Sequence, residues 1–296
     1  MDTKLTLSFW NKLLLTINGI DYKIDIDNYI YLTKNNKTIK TDFKKIKLGT
    51  RVFKEIFKQS IHSNIDTTTN FIINFGEYVV KTDIKMIYDI NHSIEAYNKH
   101  YNIKEGDIVI DIGGYHGLYS IAISRAVGPS GKIYVFEPNP DSFRILKENI
   151  QENNIKNIIS INKAVYNKSG PFRFFKKKAG SRIVARSFKT NTKDSLITVQ
   201  AITLSEFIRT NHINKIDFIK MDAEGSEVEI TEDIKHIRLA QKPSIAIATY
   251  HYRKDLGSDT QVTVEKNLNE IGYKTKTRTG EHKITYAQAK SYNPNN

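Results

Sequence analysis

The feature that most constrains this chain is an alternation of short apolar segments with amphipathic segments, which begins near Ile103. The apolar segments, each short enough for a strand, are 107–112, 132–136, 158–165, 216–221 and 243–249. The segments with apolar residues at helical spacing are 120–127, 141–153 and 259–271, the last ending at Gly272. This alternation is typical of a parallel sheet with helices on its faces. Residues 273–278 and 283–287, joined through Gly280, predict a closing hairpin.

The first 85 residues follow a different pattern, in which alternating apolar and polar residues predict β-hairpins. The predicted hairpins are Leu13–Ile26 around Asn18-Gly19, Tyr29–Leu32 with Thr38–Lys40, and Phe71–Phe75 with Tyr78–Lys81. A helix is predicted between them at Arg51–Ser60. We therefore expect a small β-rich N-terminal element over residues 1–85 and an α/β domain over residues 86–296, with an insertion at 166–200.

Composition limits the classes of partner. The 296 residues include 45 Lys and Arg against 32 Asp and Glu, a net charge of +13 that favours anionic partners such as nucleic acid, acidic glycans, nucleotides or a membrane surface. The absence of cysteine excludes disulfide frameworks, Cys-ligated zinc and thiol nucleophiles. The apolar stretch around Leu13–Leu15 is too short for a signal peptide or a spanning helix, which predicts a cytoplasmic protein.

A glycine-rich turn follows the first strand of the α/β domain, in the sequence Asp111-Ile112-Gly113-Gly114-Tyr115-His116-Gly117. Glycines let the backbone bend sharply there, and the helix that follows presents free amides to a ligand. Glu137 ends the next strand, 26 residues after Asp111. An acid at that place accepts hydrogen bonds from the two hydroxyls of a ribose, which predicts a nucleoside-containing cofactor.

The acid that precedes the turn distinguishes between cofactors. Asp111 would repel the diphosphate of a dinucleotide, which in doubly wound sheets lies on the glycine turn. S-adenosylmethionine is cationic at its sulfur and ammonium groups, so Asp111 suits it directly or through an ordered water. The spacing therefore favours S-adenosylmethionine over NAD.

With these residues in place, the chain resembles the FkbM-type methyltransferases, a family of Rossmann-like S-adenosylmethionine-dependent enzymes. The resemblance covers roughly residues 100–250, and Gly114 stands where that family more often has Ala. The matching blocks are Val109–Ser120, Val135–Pro140, Lys163–Val165 ahead of Gly170, and Ile216–Glu227 with its Lys220-Met221-Asp222-Ala223-Glu224-Gly225 core.

The resemblance implies an α/β fold with the Rossmann-like sheet of class I methyltransferases, mostly parallel and closed by an antiparallel hairpin. It also implies roles in binding S-adenosylmethionine. The methionine half would be lined by the turn, the ribose by Glu137, and the adenine by Asn139 and the backbone near Ala164 and Val165. The turn residues concerned are Asp111, Gly113, Tyr115 and Gly117, with His116 contributing backbone alone.

Asp222 lies after the fourth strand, at the edge of the sheet where ligands of open α/β folds bind, and would face the methyl group and the acceptor. It is the first candidate for the general base that removes a hydroxyl proton, with helix capping as the alternative. His251, after the fifth strand, is the second candidate for this base, and a surface or packing role is its alternative.

Three further residues of this block have open roles. Lys220 either orients a carboxylate or phosphate of the acceptor or pairs with Asp222 or Glu224. Glu224 and Glu227 either face the site or lie in the first turn of the helix, where acids complement its dipole. Ser226 and Glu229 predict a capping box.

The function predicted is methyl transfer to a hydroxyl of a glycan or small metabolite, possibly metal-assisted, although no metal motif is present and no metal is predicted. Enzymes that methylate exocyclic or amide nitrogens resemble one another in an Asn-Pro-Pro-Tyr or Asp-Pro-Pro-Tyr motif that this chain lacks. One alternative is an RNA methyltransferase that uses the basic, aromatic insertion at 171–190. Another is a non-catalytic, nucleoside-binding basic module. The oligomeric state and the role of the first 85 residues stay open.

Overall fold

The computed structural model describes residues 21–24, 29–34, 37–42, 71–75, 78–82, 86, 94–177, 180–184, 188, 195–279 and 283–289. The chain divides into two compact units, Met1–Asn91 and His92–Asn296. Among the described residues, no helix has both the length and the apolar character needed to span a bilayer.

The described part of the first unit consists of antiparallel strands. They are β1 (Asp21–Ile24), β2 (Tyr29–Lys34), β3 (Lys37–Asp42), β4 (Phe71–Phe75) and β5 (Tyr78–Thr82). Strand β2 pairs with β1 and β3, and β4 pairs with β5, which confirms the second and third predicted hairpins. The Asn18-Gly19 turn and the helix predicted at Arg51–Ser60 lie outside the described residues.

The second unit is built on a seven-stranded sheet. Its strands are β6 (Ile108–Ile112), β7 (Lys132–Phe136), β8 (Ile158–Ile161), β13 (Phe218–Met221), β14 (Ser244–Ala248), β17 (Tyr273–Arg278) and β18 (Ile284–Ala289). Their order is β17-β18-β14-β13-β6-β7-β8, and β18 runs antiparallel to both of its neighbours. The predicted α/β fold, a Rossmann-like, mostly parallel sheet closed by an antiparallel hairpin, is confirmed.

Helices pack against this sheet. They are α1 (Leu118–Val127), α2 (Pro140–Glu152), α3 (Leu204–Thr210), α4 (Glu227–Ile234) and α5 (Gln261–Glu270), with a 3-10 turn at Asn98–His100. Helix α1 packs on β7, α2 on β8 and α5 on β17, while α4 contacts α3 and α5. The sequence analysis did not predict α3, which begins where the Thr203 hydroxyl accepts a hydrogen bond from the Glu206 amide.

A second, smaller sheet contains the insertion. Its strands are β9 (Ala164–Val165), β10 (Gly170–Phe175), β11 (Arg182–Ile183) and β12 (Leu196–Ile202), in the order β11-β10-β12-β9. The prediction of one strand over 158–165 is therefore wrong, because residues 162–163 separate β8 from β9 and the two strands join different sheets. The short pair β15 (Tyr252–Arg253) and β16 (Ser258–Asp259) follows β14.

The core of the second unit lies around the central strands. Ile110, Ile219 and Ile247 on β6, β13 and β14 are buried in one cluster with residues of α4 and α5. Because these strands have helices packed against them, they carry near-continuous apolar runs rather than an alternating pattern. The buried strands hold their carboxyl ends in register, and this register positions the site.

Candidate active site

The register of the sheet aligns three strand ends. Ile112 of β6 lies opposite Phe136 of β7 on one side and Met221 of β13 on the other. The residues that follow these ends are Gly113, Glu137 and Asp222. Parallel strands present their carboxyl ends at one edge of the sheet, where open α/β folds bind ligands. Predicted cofactor and catalytic residues are therefore neighbours in space.

The glycine turn after β6 brings backbone close to this edge. Gly113 has φ +81°, and a Cβ atom added there would lie 1.9 Å from the backbone oxygen of Asp222. Gly117, with φ +85°, is the N-cap residue of α1. These conformations favour glycine strongly, because a side chain at positive φ is strained. The turn therefore brings its backbone against Asp222 at Gly113 and against Leu146 of α2 at Gly117, with no side chain between them.

Glu137 is bound into the turn from β7. Its Oε2 accepts a hydrogen bond from the Tyr115 amide and its Oε1 accepts one from the Asn139 amide, each at 2.8 Å. Burial raises the pKa of this carboxyl group to about 7, against the opposing effect of the two amides. A buried carboxylate at this edge suits hydroxyl donors, which would replace the lost water.

Asp111 and Lys220 form a buried ion pair below the turn. Lys220 lies opposite Asp111 in the register of β13 and β6, and its Nζ is 2.9 Å from Asp111 Oδ1. The same Nζ donates to the Gly113 carbonyl oxygen at 2.9 Å. Asp111 Oδ2 accepts a hydrogen bond from the Ser120 hydroxyl at 2.7 Å. The pair therefore holds the turn and α1 in place, and a direct contact between Asp111 and a cofactor stays a prediction.

The ion-pair partner of Lys220 is not one of the two acids that the sequence suggested. Its ion-pair partner is Asp111 rather than Asp222 or Glu224, because strand register places it between β6 and the turn. Its Nζ also lies 5.4 Å and 5.8 Å from the ring centroids of Tyr97 and Tyr119. A role in orienting an acceptor anion stays a prediction.

A cluster of acids surrounds His251. Its Nε2 lies 3.4 Å from Asp222 Oδ1 and 3.4 Å from Glu224 Oε2, while its Nδ1 lies 2.9 Å from Glu227 Oε1. The imidazole is 8% exposed. Burial alone would lower its pKa, but Glu227, Asp222 and Glu224 outweigh burial and raise the pKa to about 9. The structure thus brings together two predicted catalytic carboxylates and the predicted histidine.

The loop before α4 shapes this cluster. Glu224 and Gly225 both have positive φ, 51° and 103°. The loop wraps around Glu227, whose Oε1 accepts hydrogen bonds from the Ala223 amide at 2.9 Å and the Gly225 amide at 3.2 Å. Glu227 begins α4 and is fully buried, so it both lies in the first turn of the helix and faces the site.

The predicted capping box at α4 is wrong. Ser226 occupies the N-cap position, but its side chain caps no amide of the described chain. Glu229 instead pairs with Arg253, whose Nη1 lies 2.9 Å from Glu229 Oε2. Glu227 satisfies loop amides at this end in place of the box, because its carboxylate points back under the loop.

Asp222 faces the cluster rather than capping the helix. Its Oδ2 accepts a hydrogen bond from the Tyr97 hydroxyl at 3.1 Å, which leaves Oδ1 toward His251. Burial, followed by the charge of Asp222, raises the pKa of Tyr97 well above its ordinary value, so the phenol keeps its proton. The sequence analysis missed Tyr97, which is 125 residues from Asp222 and lies in no recognisable motif.

The residues predicted to contact adenine lie on the other side of the turn. Asn139 caps α2, since its Oδ1 accepts from the Asp141 amide at 3.1 Å, and its Nδ2 donates to Ser181 Oγ at 3.2 Å. Ala164 and Val165 are buried in β9. Their contact with adenine stays a prediction.

The insertion packs largely on itself. Phe174 is 1% exposed and lies in a small core with Ala164 and Val199. Phe175 packs near Phe188, with ring centroids 5.3 Å apart. Phe172 also packs against that core. These aromatic side chains are therefore engaged within the insertion, and RNA stacking on them stays a prediction.

The sequence of this chain is similar to those of known proteins. Residues 111–275, more than half of the chain, match the family described as "Methyltransferase FkbM domain". A curated relative, the hexuronic acid methyltransferase AglP of Haloferax volcanii, is 24% identical over 166 residues. The match covers 56% of this chain and spans 65% of that relative.

Two solved structures are also similar. One is an S-adenosylmethionine-dependent methyltransferase from Aquifex aeolicus, with 17% identity, a TM-score of 0.41, and 66% of this chain and 90% of that chain covered. The other is precorrin-6y C5,15-methyltransferase from Geobacter metallireducens, with 13% identity, a TM-score of 0.42, and coverage of 74% and 93%.

The turn and Glu137 fit S-adenosylmethionine. The backbone of the turn packs closely at Gly113, and the buried carboxylate of Glu137, which accepts from the Tyr115 amide of the same turn, lies where the ribose contact is predicted. With the family match over residues 111–275, the chain belongs to the FkbM methyltransferase domain family.

Proposed function

We propose that this enzyme is an O-methyltransferase that acts on a hydroxyl group of a glycan or of a small sugar-like metabolite, with an anionic acceptor favoured. The observation that carries the proposal is the cluster of Asp222, Glu224 and His251 at the edge of the sheet, next to the glycine turn. Carboxylate and imidazole groups suit a hydroxyl acceptor, whose proton must leave. The curated relative that acts on a hexuronic acid supports a glycan.

S-adenosylmethionine supplies a methyl group that its sulfonium already activates. The enzyme therefore has to hold the two reactants in line and take up the hydroxyl proton. Glu137 would bind the ribose hydroxyls, and the backbone of the turn around Gly113 and Gly117 would lie against the methionine half. Lys220 and Asp111 would position the turn through the contact to the Gly113 carbonyl.

Asp222 is the proton acceptor in this proposal. Its Oδ2 is held by the Tyr97 hydroxyl, so Oδ1 is directed into the cluster. Its own backbone oxygen lies against Gly113, which places Asp222 beside the glycine turn. His251 and Glu224 would help to orient the acceptor, and Glu227 would position His251 from the buried side.

The test is transfer of labelled methyl groups from S-adenosylmethionine to a panel of acceptors. The panel contains oligosaccharides with and without hexuronic acid, and a mixed RNA. We expect transfer to the hexuronic acid glycans, at least 100-fold slower in Asp222→Asn, with S-adenosylhomocysteine affinity retained. Glu270→Gln, which removes an exposed carboxylate on α5, is the matched control and should leave the rate unchanged.

Other outcomes would contradict the proposal. Transfer to RNA alone, with a steep loss of affinity as salt rises, would support the RNA alternative. Binding of S-adenosylhomocysteine without transfer to any acceptor would favour the non-catalytic module. Full activity in Asp222→Asn would remove this residue from the role of proton acceptor.

A further inference from the structure

The cluster at His251 has the donor atoms of a metal site. Asp222, Glu224 and His251 each offer one ligand atom, and these atoms all lie within 4.8 Å of one another. The sequence predicted no metal, because it contains no paired-histidine motif and places His251 27 residues from Glu224. In the fold these residues come close together, because they follow β13 and β14, which are neighbouring parallel strands.

The histidine is oriented as a ligand. Glu227, fully buried, lies 2.9 Å from Nδ1 and is itself held by two loop amides. A carboxylate beside Nδ1 favours a proton on that nitrogen, so an ion at Nε2 would take the place of the Nε2 proton, as in carboxylate–histidine–metal arrangements. Both ring nitrogens are buried and neither meets hydrogen-bond geometry within the described chain, and Nε2 is aimed at Asp222 and Glu224.

The distances suit a small divalent ion. Three ligand atoms placed tetrahedrally around an ion at about 2.1 Å are about 3.4 Å apart. Nε2 lies 3.4 Å from Asp222 Oδ1 and from Glu224 Oε2. The side chains of Asp222 and Glu224 are 28% and 35% exposed, so the cluster is open on the side away from Glu227. Catalytic metal sites keep such an open position for substrate.

The charge of the cluster is a separate reason to expect a cation there. Three carboxylates surround one imidazole, so the cluster is anionic even when His251 is protonated. The guanidinium of Arg253, two residues after His251, is already engaged by Glu229, Asp255 and the Gly225 carbonyl oxygen. An anionic acceptor would be repelled here unless a cation lies between. A divalent ion would both neutralise the cluster and bind acceptor oxygens.

We propose that Asp222, Glu224 and His251 bind one divalent cation of the manganese or zinc class, with Glu227 as the positioning residue behind His251. Imidazole suits zinc and related transition metals, and carboxylates suit manganese. The open position would receive a hydroxyl or carboxylate oxygen of the acceptor, and this part alone rests on the proposed function. The ion would lower the pKa of a bound hydroxyl, and Asp222, with Oδ1 as the ligand atom, would accept that proton at Oδ2, the oxygen that also faces Tyr97.

The experiment measures ion binding without any acceptor. The full chain is treated with chelator, dialysed and titrated with Mn²⁺, and free Mn²⁺ is followed by electron paramagnetic resonance. We expect one saturable site that Zn²⁺ displaces. His251→Ala and Asp222→Asn should weaken Mn²⁺ binding at least tenfold, and Glu227→Gln tenfold to 100-fold as a second-layer partner. Glu270→Gln should bind Mn²⁺ as the parent chain does.

Two controls keep the result decisive. Circular dichroism and S-adenosylhomocysteine binding establish that each variant is folded. No saturation of the parent chain by either ion at about 1 mM, or equal Mn²⁺ affinity in folded His251→Ala, would overturn the proposal. Ion binding with no methyl transfer to any glycan would leave the ion site standing and remove the proposed function. If chelated enzyme binds no Mn²⁺ and still transfers methyl groups at the full rate, the ion site would be removed and the proposed function would stand.

Discussion

The carboxyl group of Glu137 should make cofactor affinity depend on pH. Burial raises its pKa to about 7, and the nearby Asp111 charge acts in the same direction. The amides of Asn139 and Tyr115 and the Lys220 ammonium oppose this rise. Ribose hydroxyls donate hydrogen bonds, which the ionised carboxylate accepts best. S-adenosylhomocysteine should therefore bind the form in which Glu137 is ionised. At lower pH, where Glu137 is protonated, binding should release this proton.

The size of the effect follows from that pKa. A group with a pKa of about 7 is ionised in about one molecule in eleven at pH 6 and in about ten in eleven at pH 8. If only the ionised form binds, affinity for S-adenosylhomocysteine rises about tenfold across this interval, or about 1.4 kcal/mol.

The assay is calorimetric titration with S-adenosylhomocysteine at pH 6, 7 and 8, in two buffers that differ in ionisation enthalpy. The buffer dependence reports the proton that binding releases. Glu137→Gln keeps the size of the side chain and loses the charge, so we expect it to bind roughly 10- to 100-fold more weakly, without the rise. A pH-independent affinity in the parent chain, or the same tenfold rise in Glu137→Gln, would refute the assignment.

Three further predictions concern stability. Because its pKa is raised in the folded state, Glu137 stabilises the ligand-free protein below about pH 4.5, and this contribution is lost as pH rises through about 7. The free energy of unfolding in urea should therefore fall by up to roughly 3 kcal/mol over this interval, and it should not fall in this way in Glu137→Gln. Gly113→Ala should abolish S-adenosylhomocysteine binding and lower Tm, because its Cβ would lie 1.9 Å from the Asp222 backbone oxygen. The control is Gly257→Ala, where φ is also positive but no atom lies within 4 Å of the added Cβ, and it should lower the free energy of unfolding by only about 1 kcal/mol. Lys220→Met leaves Asp111 buried and unpaired, which should cost about 3–5 kcal/mol by urea unfolding, and adding Asp111→Asn should recover part of it. Equal Tm values for the two glycine variants, or no recovery in the double variant, would contradict these expectations.

Much of the fold was predictable because its signals are local. The strand Lys132–Phe136 was predicted to the residue, and the helix Gln261–Glu270 to within two residues, because the apolar run of a buried strand and the helical spacing of an amphipathic helix can each be read in a short window. The second-sheet strand at Ala164–Val165 was not separated from its neighbour. Which sheet a strand joins depends on its partner in space, and an apolar run carries no record of that partner.

The sequence by itself predicted the proximity of the residues that are proposed to bind the cofactor. Gly113 and Glu137 each follow a strand, and strand ends of a parallel sheet meet at one edge, so their proximity could be derived from spacing alone. The tertiary structure alone decided how the charged side chains pair. Lys220 meets Asp111 because of strand register, Glu227 turns inward to His251, and Glu229 pairs with Arg253 instead of forming a capping box. Such pairs join residues that are distant in sequence, and only the packing that buries a charge selects the partner that compensates it.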